Sequence, residues 1–366
     1  MALWSLSRRT DADIHGFDAY APGHDRGGYG GQSRIFRVAY REGRQYVPLL
    51  QRAAALWDEL EEESGADLLT TAGGLTIGPE DHPDVQTVRS CIEHFGLPHE
   101  TLTATEARLR FPHLPLEDSE IAILDHSAGV LRPEHAVQAA AQQAETRGAT
   151  LHRYSPVLSL ASSATGAVVH TRDGDDEFDH VILCPGPWAP MMPALARLPL
   201  EVHQITTLWF RAEDPPQFDP LHSPILIRSG PTAFSCFPAV DGETVKVSLH
   251  SLPRPRLSSA DEVSRNPSPE LLTAMCDAVR RFLPGLNPDP VRVGSYADAF
   301  TPDQHGIIGT VPGLPHVTVL TGFSGHGFKL APTFGEVAAD LALRGHTDHH
   351  IDHLAPARFA PEGALS

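Results

Sequence analysis

Arg34 and Arg37 stand three residues apart, directly after a turn containing Gly27, Gly28, Gly30 and Gly31. A planar guanidinium can grip a carboxylate through two parallel hydrogen bonds, so such a pair could hold an anionic substrate or a cofactor. Taken alone, the same pattern describes two surface arginines. Near the C-terminus, Gly322-Phe-Ser-Gly-His-Gly327 lies between an apolar run and a helical one. Its glycines let the backbone approach a ligand closely, and the helix start that follows offers amide donors. A tight turn needing positive φ explains the spacing equally well. Ser324 is not a hydrolase nucleophile elbow, because His326 stands where the elbow requires a glycine. Lys246 lies in an apolar strand with His250 four residues on, hence on the same face. An inward ammonium needs a partner, so on sequence alone Lys246 reads as a solubilising residue on an edge strand. The run His346-Thr-Asp-His-His-Ile-Asp-His353 has metal-ligating side chains but no matching cluster elsewhere, and reads as a solvated loop.

The elements that must position these residues follow from periodicity and punctuation. A helix is expected over Val47–Ser64, with Pro48 in the first turn, Gly65 closing it and Leu50, Ala54, Trp57 and Leu60 forming one stripe. Others are expected from Pro133 to Arg147, from Pro269 to Leu283 and from Pro332 to Leu343. Ala2, Leu3 and Leu6 suggest a helix that feeds a strand through Ala12–Phe17. Leu151–Leu158, Val245–Leu249 and Val317–Leu320 read as strands. Two proline-rich stretches, 215–224 and 253–269, break the middle of the chain. Helix–strand alternation at both ends and in the middle, with β-rich insertions between, describes two interleaved domains.

The 366 residues suffice for two domains, and 41% apolar with 20% charged is an ordinary globular composition. A formal net charge of −18 opposes encounter with nucleic acid or an anionic membrane. Cys91, Cys184, Cys236 and Cys276 lack C-x-x-C spacing, so neither a disulfide framework nor a zinc site is indicated. No apolar run is long enough to span a bilayer, the start is not a signal peptide, and the expected location is cytoplasmic.

Together these segments resemble the monomeric sarcosine oxidase and N-methyltryptophan oxidase family of flavoenzymes. The resemblance rests on Phe17-Asp-Ala-Tyr-Ala-Pro-Gly-His24, Gln32-Ser-Arg-Ile-Phe-Arg37, Arg41-Glu-Gly-Arg-Gln-Tyr-Val-Pro48, Ser127-Ala-Gly-Val-Leu131, Pro185-Gly-Pro-Trp188, Thr301-Pro-Asp-Gln-His305 and Gly322 through Lys329. It implies an α/β (α+β) fold, with a glutathione-reductase-like FAD-binding domain (1–65, 129–195 and 295–366) interleaved with an antiparallel-sheet substrate-binding domain (66–128 and 196–294). It also implies FAD-dependent oxidation of a secondary or N-methylated amino acid by O2 to an imine and hydrogen peroxide, in a monomer. An FAD-dependent dehydrogenase with another acceptor and a non-catalytic remnant are the alternatives.

By the same resemblance Asp18 binds the adenosine ribose and Arg34 lies beside the flavin. Val157, Gly186 and Trp188 line the adenine and pyrophosphate side, and Gly325, Gly327 and Lys329 approach the cofactor. Arg37 and Lys329 clamp the substrate carboxylate, Lys246 activates oxygen above the flavin, and His250 stands beside the bound amine. The chain departs from the family pattern at three places. Matching the later motifs places Met1 just after the last glycine of the G-x-G-x-x-G fingerprint, so weak FAD binding is expected of the chain as it stands. Tyr296 occupies the position of the cysteine that often carries FAD covalently, which implies non-covalent FAD. Asp298 replaces a tyrosine of the substrate pocket.

Overall fold

The computed structural model describes residues 1–359; the end of the expected FAD-binding segment, 360–366, lies outside the described residues. The helix Val47–Ser64 forms as its sequence dictates. A proline opens it, Gly65 closes it at φ 66°, and Leu50, Ala53, Trp57 and Leu60 are buried on one side. The helices Pro133–Thr146, Pro269–Phe282 and Ala331–Arg344 also begin with a proline in the first turn. The last of these ends at Gly345 in the left-handed region.

Helix-linked strands pair in parallel: His15–Phe17 with Thr150–His152, and Val181–Leu183 with Leu314–Thr321. Ile307–Val311 runs antiparallel along the other side of Leu314–Thr321. The proline-broken middle of the chain builds most of a nine-stranded sheet. Its path runs from Arg256–Leu257 through Glu201–Ala212, Thr244–Leu249, Phe234–Phe237, Ile225–Arg228, Gly74–Pro79 and Glu120–Asp125 to Glu100–Thr103, and Leu286–Phe300 pairs with Glu201–Ala212 off that path. All its pairings are antiparallel except Ile225–Arg228 against Gly74–Pro79. A small sheet of Arg34–Phe36, Gly129–Leu131 and Leu69–Thr71 lies apart from it in pairing.

Two large apolar clusters result. One joins Leu75, Ile77, Leu124, Phe210, Phe234 and Phe282 behind the large sheet. The other joins Trp4, Phe36, Tyr40, Trp57, Leu320 and Phe334, drawn from helices and strands at opposite ends of the chain. Burial of such side chains contributes about 1.5–3 kcal/mol each, which is what forces distant segments together.

Three local expectations are corrected. The strand begun at Thr150 stops at His152 instead of reaching Leu158. Tyr154 has φ 58°, and Pro156 has no N–H to extend the ladder. Lys246 is not on an edge strand, since Thr244–Leu249 is flanked on both sides. The histidine run does not stay wholly in solvent. His349 bonds Glu336 at 3.2 Å, and the His353 ring packs edge-on 4.8 Å from Tyr46.

Candidate active site

The glycine turn and the residues just after it collect two cations. Arg34 donates to the carbonyls of Ser33 (2.8 Å), Gly28 (2.7 Å) and Gly30 (2.7 Å). Lys246 Nζ donates to the carbonyls of Gly31 (3.1 Å) and Ser33 (2.6 Å) and lies 3.9 Å from the Phe237 ring centroid. Glu134, in the first turn of its helix, anchors the loop by accepting from the amides of Gly31 and Gln32 at 2.8 and 3.0 Å. The Tyr296 ring packs over Gly30 and Gly31, where an added Cβ on Gly30 would lie 2.6 Å from it. Lys246 is only 4% exposed. Burial pushes its pKa well below the ordinary lysine value, Arg34 pushes it further, and Glu134 opposes them.

A second group gathers around Arg37, which is 6% exposed and so is no surface arginine. Its Nη2 reaches Glu42 at 3.2 Å, while Nε and Nη1 are buried without a partner among the described residues. Buried donors are nearly always paired, so these two mark a place for an acceptor. A small pocket lies beside Arg37, walled by Ile35, Ile123, Ile225 and Ile227, with Asp125 also on it. Lys329 Nζ, also buried, donates to Tyr40 Oη at 3.1 Å and to the carbonyl of His326 at 3.0 Å. Burial lowers Lys329 to about 7, against the pull of Glu42. Burial alone would raise Glu42, but Arg37 and Arg41 hold its carboxylate well below the usual range.

His250 follows the Lys246 strand and bonds Ser235 Oγ at 2.8 Å. Burial first, then Arg41 and Arg254, push it down to about 3, so its ring is neutral at physiological pH. The charges of Arg41, Arg254, Glu42 and Arg37 bear on His250, while Arg34, Glu134 and Arg292 bear on Lys246. One strand end therefore serves both groups.

The residues expected along a dinucleotide are spread over the ends of the parallel strands. Asp18 follows His15–Phe17; its amide donates to the His152 carbonyl at 3.0 Å and its Oδ1 accepts from the amide of Tyr20 at 2.8 Å. Ser155 donates to the Asp18 carbonyl at 2.8 Å, which brings the Val157 segment alongside. Gly186 has φ 54° with open space at its Cβ position, and the Trp188 ring lies 6.3 Å from that of Tyr20. Gly322 and Gly325 have φ 67° and 84°, so the turn requirement of this loop is real. Gly327 is needed for a different reason: a Cβ there would lie 2.5 Å from that of Phe323.

This donor set fits a flavin dinucleotide. A carboxylate at the C-terminal end of a parallel strand suits a ribose hydroxyl, and Gly186, with open space at its Cβ position, allows close backbone approach.

Several participants were not singled out from sequence. Glu42 lies inside the Arg41–Pro48 block without a role, Tyr40 lies between that block and the arginine block, and Glu134 gives no signal beyond its place in a first helical turn. His326 was noted only as the residue that spoils a hydrolase elbow. Asp298, noted only as a replacement, is raised by burial to about 6 while accepting from the Ala299 amide at 2.8 Å.

Residues 1–341 match the family described as FAD dependent oxidoreductase. The chain is 34% identical to the monomeric sarcosine oxidase of Streptomyces avermitilis over 364 residues, covering 98% of this chain and 94% of that one. It is 32% identical to the N-methyl-L-tryptophan oxidase of Yersinia pestis over 347 residues, covering 93% and 91%. Among solved structures, the open form of NikD, described as an unusual amino acid oxidase, superposes with a TM-score of 0.84 at 23% identity, covering 97% and 93%. The L-proline dehydrogenase from P. horikoshii gives 0.84 at 22% identity, covering 98% and 94%.

Proposed function

The chain belongs to the FAD-dependent oxidoreductase family, and from that membership we propose that it oxidises a secondary or N-methylated amino acid with O2. The products are an imine, which hydrolyses, and hydrogen peroxide. The observation that carries the substrate class is Arg37, whose two unpartnered buried donors stand in the same group as Lys329 and the neutral His250. FAD, when bound, supplies the two-electron acceptor that joins amine oxidation to O2 reduction.

In this reading Asp18 holds the adenosine ribose, Val157, Gly186 and Trp188 line the adenine and pyrophosphate side, and Gly325, Gly327 and Arg34 face the flavin. Arg37 and Lys329 grip the substrate carboxylate and so fix the amine's orientation, which lowers the entropic part of the barrier. His250, neutral, hydrogen-bonds near the amine without repelling a cation. Lys246 supplies positive charge where O2 is reduced. The segments 1–65, 129–195 and 295–366 form the cofactor domain and 66–128 with 196–294 the substrate domain. The oligomeric state that accompanies this reading is a monomer. No helix among the described residues is long and apolar enough to cross a membrane.

The test is peroxide release from the FAD-loaded protein with sarcosine and larger N-methyl amino acids, against the matching amines without a carboxylate. Peroxide from the amino acids alone is the expected result. Equal turnover of amines lacking the carboxylate would remove the clamp from the mechanism. The flavin should also be non-covalent, because Tyr296 offers no thiolate. Acid precipitation is expected to leave all the yellow colour in the supernatant, and flavin in the pellet would overturn this.

A further inference from the structure

We propose that Tyr40 is a positioning residue that holds both cations of the carboxylate clamp, its ring against Arg37 and its hydroxyl under Lys329. The proposal rests on the clamp reading above. Tyr40 is fully buried, with Arg37 Cζ 5.2 Å and Lys329 Nζ 5.0 Å from its ring centroid. Both distances are within the reach of a cation–π contact. No other side chain hydrogen-bonds the Lys329 ammonium among the described residues.

The hydroxyl belongs to a chain whose direction can be worked out. His326 Nε2 lies 2.8 Å from the carbonyl oxygen of Gln304, which can only accept. Nε2 therefore carries the hydrogen. Burial lowers His326 to about 4, so the ring is neutral and Nδ1 has a lone pair. Tyr40 Oη, 2.9 Å from Nδ1, must donate to it. The tyrosine oxygen then has its lone pairs free for Lys329. Burial also raises the phenol well above its ordinary value, so it stays a donor to His326. An ammonium has three protons. With one spent on Tyr40 and one on the His326 carbonyl, one remains, in a fixed direction, for the substrate carboxylate.

The charged and titratable groups acting on Lys329 are Glu42, Arg37, Arg41 and Arg34, with Tyr40 and His326 in contact. Burial and the arginines lower its pKa; Glu42 raises it. The Tyr40 oxygen accepts from the charged form and so supports it. Removing that acceptor lowers Lys329 further, and the carboxylate affinity it provides is then lost at a lower pH.

The experiment measures propionate, a carboxylate without an amine, binding to the FAD-loaded protein by calorimetry between pH 6 and 9. Tyr40→Phe is expected to weaken binding about tenfold at neutral pH and to move the alkaline loss of affinity about one pH unit lower. It should raise KM for the amino acid more than it lowers kcat. His326→Leu should act in the same direction but less, because the Tyr40 hydroxyl can turn to the His326 carbonyl 3.3 Å away. In a Lys329→Met background, Tyr40→Phe should add no further loss. Wild-type affinity in Tyr40→Phe, or the same loss with and without Lys329, would overturn the proposal while leaving the clamp intact. Unchanged affinity in Lys329→Met would instead overturn the clamp itself. If Tyr40→Phe does not fold, His326→Leu decides the question by the same pH shift.

Discussion

In Lys246→Met, reoxidation by O2 is expected to slow by about a hundredfold to a thousandfold, the usual effect of removing one preorganised charge from a developing anion. Anaerobic reduction by the amine should be largely unchanged. Methionine has nearly the length of lysine and suits the pocket formed by Phe237 and the 31–33 backbone. The substitution therefore removes charge more than shape. O2 gains negative charge as it is reduced, and a cation 4% exposed acts through a poorly screening medium. The amine half-reaction forms no oxygen anion for Lys246 to stabilise. The pH dependence has a definite sign. The active form is the ammonium, and burial lowers its pKa from the ordinary 10.5. Rapid reoxidation should hold at low pH and decline as pH rises through that lowered value, below where a free lysine would titrate. Stopped-flow measurement of the two half-reactions checks this, and equal slowing of both would remove Lys246 from O2 chemistry.

Arg37→Ala is expected to raise KM for a carboxylate-bearing amine about tenfold to a hundredfold, the equivalent of about 1.5–3 kcal/mol for a charge-assisted bond. Lys329→Ala should behave similarly. The fold should survive the loss of Arg37, because its only side-chain hydrogen bond among the described residues is to Glu42, and Glu42 keeps Arg41 at 3.0 Å. Glu42 also makes the effect instructive. In the structure it holds one arm of Arg37, so a carboxylate arriving at the proposed clamp would meet an internal anion already there. Without Arg37, the buried negative charge of Glu42 faces the substrate less compensated. Steady-state kinetics together with a thermal melt separate the two effects. An unchanged KM in both variants would show that the carboxylate is held elsewhere.

What could be read in the sequence is what depends on neighbours in the chain. The helix Val47–Ser64 was expected with its bounds because proline, an apolar stripe and glycine all lie within it. The strand after Thr150 was overextended because Leu158 continued an apolar pattern that the left-handed Tyr154 and Pro156 interrupt. Lys246 could not be told from an edge residue, since its flanking strands, Glu201–Ala212 and Phe234–Phe237, are a matter of sheet order and not of local spacing. The site was legible mainly through resemblance. Residue types alone read Arg37 as a surface residue, whereas it lies beside Ile35 of the small sheet and Ile225 and Ile227 of the large one, which are far apart in the chain. Tyr40 and Glu134 were invisible for the same reason: their partners lie 286 and 103 residues away.

Those separations also bear on how the chain assembles. Tyr40 meets His326, and Ser33 meets Lys246, across 286 and 213 residues. Closing such loops costs entropy before any contact rewards it, and chains rich in distant contacts fold slowly. On the ribosome, the local bonds of Arg34 and Arg37 can form early, but the glycine turn and Tyr40 are made long before Glu134, Lys246 and His326, the distant partners that fix them. Local units such as the helix Val47–Ser64 can form early, but the site itself must be a late product of folding. Because a ligand that binds only the assembled state draws the equilibrium toward it, cofactor supply during synthesis should govern the yield of native enzyme as strongly as the stability of any single element.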